Sequence, residues 1–251
     1  MRVISMVPSW TETLLEAGIE VVGRTEFCVH PADRASEIPV VGGTKRVDWD
    51  KVARLDADLL LLDKEENPRS MADRSPIPVL ATHVRSVGDL PRQLVELTGR
   101  VAHGHPPLLA LAERWQRIVA RPMPAARGLD EIPGVIEWFQ RPTPAVRRFV
   151  YLVWRDPWMA VGPGTFIGSV FAHLGFGDAQ LRQARPYPVV DLDGLDPQRT
   201  LLLFSTEPYP FARHRGLMAG CGFPAALVDG EAYSWFGLRT LRFLEGTVPV
   251  R

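Results

Sequence analysis

The chain has 251 residues, with 29 Lys+Arg against 29 Asp+Glu, and it carries no basic stripe of the kind a phosphate backbone requires. Nucleic acid is therefore not expected as a partner. The longest apolar runs, such as LLLL at 59–62, fall far short of the roughly 20 residues that cross a bilayer.

The first strand is expected in the short apolar run Val3 to Val7, buried on both faces. Before it, Met1 and Arg2 do not make a secretory leader, because Pro8 stops the apolar run. As numbered the chain is expected to be cytoplasmic, or periplasmic if a leader was trimmed. Ser9 and Glu12 stand three apart, so the spacing predicts a helix with Ser9 as its cap, Glu12 reaching back to the Ser9 amide and Gly18 as its stop. VVG at 21–23, DLLLLD at 58–63 and PVLAT at 78–82 read as further buried strands, separated by helical or turn segments. PPLLALAERWQRIVA at 106–120 has Pro at its start and places Leu108, Leu111, Ala112, Trp115 and Ile118 at helical spacing. The stretch that follows, to residue 147, is broken by prolines and glycines and gives no clear element. RRFVYLVW, a helix near Phe166 to Leu174, TLLLFS at 200–205 and AALVDG at 225–230 resume the alternation, and SWFGLRTLRFLEG closes as a helix.

The chain repeats its plan. Residues 2–18 are answered by 149–177, residues 52–66 by 192–207, and residues 77–84 by 223–232. A repeat of this length suits a lobe rather than a solenoid unit. The expected fold is α/β, two Rossmann-like lobes with parallel sheets: an N-terminal lobe at 1–105, a connecting helix and Pro-rich linker at 106–144, and a C-terminal lobe at 145–251. Cys28 and Cys221 fall in different lobes and are read as free thiols.

Ligands of open parallel sheets bind beyond the C-terminal strand ends. The loops there hold four of the seven tryptophans, Trp10, Trp154, Trp158 and Trp235, which suits a large flat ligand in a cleft or, equally, a packed interior. Lys64, Glu65, Glu66 and Asn67 form a polar group at the end of a buried strand, either a solvated loop or one that meets ligand amides or a cation such as Arg155 or Arg239. Cys28 and His30, two apart before Pro31, either offer a soft and a borderline ligand to a transition metal or are a packing thiol and a loop imidazole. VGPGTFIGS at 161–169 looks like an anion cradle, but Thr165 as an ordinary helix cap explains it more simply.

VISMVPSWTETLLEAG, VVGRTEFCVHP, GGTK, LDADLLLLDKEEN and VDGEAYSWFGLR together resemble the helical-backbone class of solute-binding proteins, which includes the cobalamin-binding component of ABC importers. The resemblance covers nearly the whole chain. It implies two α/β lobes rigidly joined by one long helix and a corrinoid, haem or other metal chelate bound as ligand without chemistry. The cleft aromatics it implies are Trp10, Phe27, Trp154, Trp158, Tyr209 and Trp235, with Glu65, Asn67 and Arg239 meeting polar groups of the ligand. It further implies a monomer that docks to a permease through acidic side chains at the lobe tips. The tip here runs KEENPRSMADR, with Arg69 where an acid is expected. The competing readings are a corrinoid- or tetrapyrrole-binding protein uncoupled from a permease, and an enzyme using Cys28 with His30 or His83 and Glu65 or Glu66; no nucleophile elbow, P-loop or zinc-hydrolase helix accompanies those residues.

Overall fold

The computed structural model describes residues 1–247, and the chain divides into two compact units. The first comprises Met1–Ala120 together with Trp235–Leu241; the second runs over Arg121–Ser234 and resumes at Arg242. In chain order the first unit holds β1 (Val3–Ser5), α1 (Pro8–Glu16), β2 (Val21–Thr25), α2 (Ala32–Ala35), β3 (Val40–Gly43), β4 (Arg46–Val47), α3 (Trp49–Ala53), β5 (Leu59–Asp63), α4 (Arg69–Asp73), β6 (Val79–Thr82), α5 (Leu90–Val101) and α6 (Pro106–Val119). The second holds β7 (Val135–Gln140), β8 (Arg148–Trp154), β9 (Met159–Val161), α7 (Phe166–His173), β10 (Thr200–Ser205), α8 (Arg215–Ala219), β11 (Ala225–Val228) and α9 (Gly230–Ser234). A last helix, α10, spans Arg239–Thr247.

The sheets are two, and the fold is α/β. The first is ordered β4-β3-β2-β1-β5-β6 and the second β7-β11-β10-β8-β9. Both have parallel centres, as the apolar runs require, but antiparallel strands at their edges: β4 in the first, β7 and β9 in the second. These edge strands were not foreseen in the sequence, because short or half-exposed strands lack the apolar runs that betray buried ones. The internal repeat is real at the level of topology. Adjacent parallel strands β1-β5-β6 correspond to β8-β10-β11. The two plans part on the other side of the first strand, where β1 has parallel β2 and β8 has antiparallel β9.

Ile4, Met6, Leu60 and Leu62 build the first core with Val52 and Met71, and Val150, Leu152, Leu202, Phe204 and Leu227 build the second. The five residues read at helical spacing in 106–120 are all buried, and α6 packs on α5 within the first unit. The cap expected at Ser9 is not formed. Pro8 occupies the first helical position, Val7 is the cap residue, and Ser9 lies inside the helix with its carbonyl accepting the Thr13 hydroxyl at 2.8 Å. Proline at that position has no N–H to satisfy and its fixed φ already suits a helix, so it starts α1 two residues early. Gly18 does end the helix, at φ 77°. Thr165 caps α7 as expected, accepting from the Gly168 amide at 3.1 Å.

Glu12, freed from capping, makes the longest-range contact of the first unit. Its two carboxylate oxygens accept Arg239 Nε at 3.1 Å and a second guanidinium nitrogen at 2.6 Å, across 227 residues of chain. Around this pair, Phe236 meets Trp10 edge-on at 5.1 Å, the Arg239 guanidinium lies over Trp235 at 5.3 Å, and Trp115 Nε1 donates to the Gly237 carbonyl at 2.7 Å. Gly237 has φ 95°, and a Cβ there would fall 2.3 Å from the Thr13 hydroxyl, so no other residue fits. The Glu12 side chain is only 7% exposed, so Arg239→Met strands a desolvated carboxylate. Urea denaturation is expected to show a loss of about 3–5 kcal/mol for that variant, largely recovered in Glu12→Gln/Arg239→Met.

Candidate functional site

Each unit presents its loops at the C-terminal ends of its parallel strands, and the two strand ends use the same turn. In the first unit β5 ends on Asp63. Oδ1 accepts from the Glu65 amide at 2.9 Å, while Oδ2 accepts from the Thr82 hydroxyl at 2.7 Å and the Val84 amide at 3.2 Å. Trp10 Nε1 donates in turn to Thr82 Oγ1 at 2.8 Å. Asn67 completes the loop: its Oδ1 accepts the Asp63 amide at 2.8 Å, and its Nδ2 donates to the carbonyls of Thr44 at 2.9 Å and Met6 at 3.2 Å. Burial pushes the Asp63 carboxyl above its ordinary value, against the pull of its hydrogen bonds.

In the second unit β10 ends on Ser205, whose Oγ accepts from the Glu207 amide at 3.4 Å and from the Tyr151 hydroxyl at 3.0 Å. Burial pushes the Tyr151 phenol well up, so it stays a neutral donor. Glu207 reaches Ser234 Oγ at 2.6 Å. Beyond these strand ends the apolar core surfaces as an aromatic shelf. Trp154 is 42% exposed and meets Tyr209 edge-on at 5.5 Å. Tyr209 lies against His214, with its hydroxyl 3.3 Å from Nε2. Trp158 is parallel to Phe211 at 6.1 Å, and the Arg155 guanidinium sits 5.8 Å above its ring.

Trp154, Trp158 and Tyr209 are therefore brought together on the second unit. On the first, Phe27 is 54% exposed, and His30 meets Trp235 edge-on at 5.3 Å. Lys64 and Glu65 are exposed, with Glu65 3.0 Å from His83 Nε2, while the Glu66 carbonyl accepts Lys45 Nζ. Four assignments take another role. Trp10 is fully enclosed and hydrogen-bonded, so it backs the loop wall instead of facing a ligand. Asn67 has both ends of its amide engaged by backbone. Trp235 is buried under Arg239, and Arg239 is held by Glu12. The strand that would put Cys28 and His30 on one side is absent: Glu26 and Phe27 form a turn, residues 28–30 are irregular, and Cys28 points into the core, between the hydroxyls of Thr11 and Thr25, both at 3.1 Å. Burial pushes its thiol up, away from the thiolate a metal or a nucleophilic mechanism needs. Among the described residues, no group of three or more His, Cys, Asp or Glu side chains could hold a metal ion.

Residues that sequence reasoning did not place at the site include Asp63, Thr82, Ser205 and His214, and Glu12 was given a capping role only. Asp63 had a signal, a charge closing the apolar run LLLL, and Ser205 ends its counterpart in the repeat.

No family model and no curated protein matches the chain. Solved structures do. The periplasmic vitamin B12 binding protein BtuF of Vibrio cholerae matches with TM-score 0.66 at 16% identity, over 98% of this chain and 94% of that one. A periplasmic heme binding protein from Pseudomonas aeruginosa matches with TM-score 0.70 at 17% identity, over 98% and 90%. A possible iron-binding, periplasmic solute-binding protein from Staphylococcus epidermidis matches with TM-score 0.68 at 15% identity, over 98% and 96%. The fold is that of these binding proteins. The likeness spans both units and meets the resemblance drawn from the residues.

The shared strand-end turn can be tested on the neutral side. Ser205→Ala leaves the fully buried Tyr151 hydroxyl without its acceptor, and thermal unfolding is expected to show a loss of about 1–3 kcal/mol, with Tyr151→Phe in the same background restoring most of it.

Proposed function

We propose that the protein binds a flat metal chelate, a cobalamin-like corrinoid or a related tetrapyrrole, as the solute-binding component of an ABC-type importer. The observation that carries this reading is the aromatic shelf of Trp154, Trp158 and Tyr209, raised at the strand ends of a fold whose solved relatives include B12- and heme-binding proteins. A macrocycle laid on exposed Trp154 gains roughly 25 cal/mol for each Å² taken from water, and its rim then meets hydrogen-bonding groups. His214 and Arg155 supply these on the second unit. On the first unit, Phe27, His30, Lys64 and Glu65 are exposed or half-exposed.

Binding without catalysis fits the state of Cys28, since a buried, protonated thiol is a poor nucleophile. The neighbouring solved structures are themselves binding proteins, which supports the same reading.

Titrating cobalamin, its truncated corrinoid precursor and hemin while following tryptophan fluorescence tests the proposal. Trp154→Ala and Tyr209→Ala are each expected to weaken binding tenfold or more while leaving the unfolding midpoint within a few degrees of the parent, as an exposed aromatic anchor should. If none of the three ligands binds more tightly than about 100 μM, an affinity of only about 5–6 kcal/mol, the chelate reading falls.

A further inference from the structure

Asp63 is a carboxyl with no exposed surface, yet it is the hub for two loops. It holds Glu65 of its own loop and Val84 of the loop after β6 through backbone amides, and it takes the Thr82 hydroxyl as a third donor. Three donors on two oxygens describe an ionised carboxylate. The second unit makes the equivalent turn with neutral Ser205: the amide of Lys64 bonds the Thr82 carbonyl as the amide of Thr206 bonds that of Val228, so the two end residues occupy the same place in the repeat. The turn itself does not demand a charge.

The neighbourhood also holds an alternative hydrogen-bond arrangement. Thr82 Oγ1 has two acceptors within reach, Asp63 Oδ2 at 2.7 Å and the Leu62 carbonyl at 3.2 Å, and one proton to give. If Asp63 takes a proton on Oδ2, it becomes the donor to Thr82 Oγ1, the Thr82 proton turns to Leu62, and Trp10 keeps its acceptor. The Val84 amide then faces a hydroxyl in place of a carboxylate and loses most of its bond. The exchange consumes one proton and leaves every other donor partnered.

We propose that Asp63 is a pH-operated latch that ties the β5 and β6 loops together when ionised and frees the β6 loop at Val84 when protonated. This goes beyond the chelate reading and stands without it. The groups facing Asp63 are Trp10 from α1, Thr82 from β6, His83 from the loop after β6, and Glu65 from its own loop; Gln93 of α5 holds the His83 amide at 3.2 Å. Of these, His83 carries the charge that bears on Asp63, and its cationic form favours the carboxylate. The sign separates the latch from acid denaturation. Because burial raises the folded carboxyl above its ordinary 3.8, the Asp63 contribution to global stability is fully present below that value and is lost as pH rises through the raised one. Release of Val84 on acidification therefore does not follow from global unfolding.

The experiment is residue-resolved amide exchange by NMR as a function of pH, with protection factors corrected for intrinsic rates, alongside a carboxyl-carbon titration of Asp63. In the parent protein Val84 is expected to lose about tenfold in protection relative to the β5 amide of Leu61, with a midpoint above the ordinary carboxylate value that coincides with the Asp63 carboxyl titration. His83→Gln should keep the step and Asp63→Asn should abolish it. Asp63→Ser, which copies the second unit, gives the same reading should the Asn variant fail to fold. Val84 protection that tracks Leu61 at every pH, a step that survives in Asp63→Asn or Asp63→Ser, or one that disappears with His83→Gln would overturn the latch.

Discussion

A carboxylate taken out of water needs a partner, and in the first unit Glu12 finds it more than two hundred residues away. Two parallel hydrogen bonds to one guanidinium are the geometry in which a desolvated pair can offset its own cost. The pair fixes more than itself. By holding Arg239 it lays that side chain over Trp235, seats Phe236 against Trp10, and brings the Gly237 backbone onto Trp115 and Thr13, where only a glycine at positive φ has room. Helices α1 and α6 and the C-terminal segment are thereby locked into one unit. Trp10 is then placed to donate to Thr82, and Thr82 to Asp63, so the strand-end loops inherit their geometry from this ion pair.

Polarity is arranged differently at the matching ends of the two sheets. The first unit closes its turn with a buried carboxylate and surrounds it with Lys64, Glu65 and His83; the second closes the same turn with a hydroxyl and surrounds it with aromatics. A duplicated backbone has thus been given one polar and one apolar face to its strand-end loops.

Much of this was legible in the sequence, and the pattern of failure is physical. Strands buried on both faces announce themselves as apolar runs, so β1, β5, β8, β10 and β11 were visible, and half-buried β6 was marked by its own apolar run, as was the repeat they carry. Helix α6 was visible down to its five buried residues because a one-sided helix imposes a period. Strands β3, β4, β7 and β9 were not, since a strand of two to six residues with half-exposed faces has no run and little alternation. Ser9 and Glu12 satisfied a capping-box pattern, but the pattern is local, and Pro8 beside it and Arg239 far from it both outbid it.

The site was legible by place and not by role. Loops at strand ends were the region expected, and sequence gives no measure of which side chains there point inward. Trp10, Asn67, Trp235 and Arg239 carry the chemistry expected of ligand contacts, an indole, an amide and a guanidinium, and the fold uses them to satisfy its own buried groups: Trp10 serves Thr82, Asn67 serves three backbone groups, and Arg239 serves Glu12. A buried polar group costs more unpaired than it returns when paired, so such residues are held by the interior first. What is left for a ligand is the set the interior does not enclose, and on the second unit that set is aromatic and contiguous: Trp154 beside Tyr209, with Trp158 next to Arg155. Contiguity is the property sequence could not show, and it is what turns scattered tryptophans into a single surface.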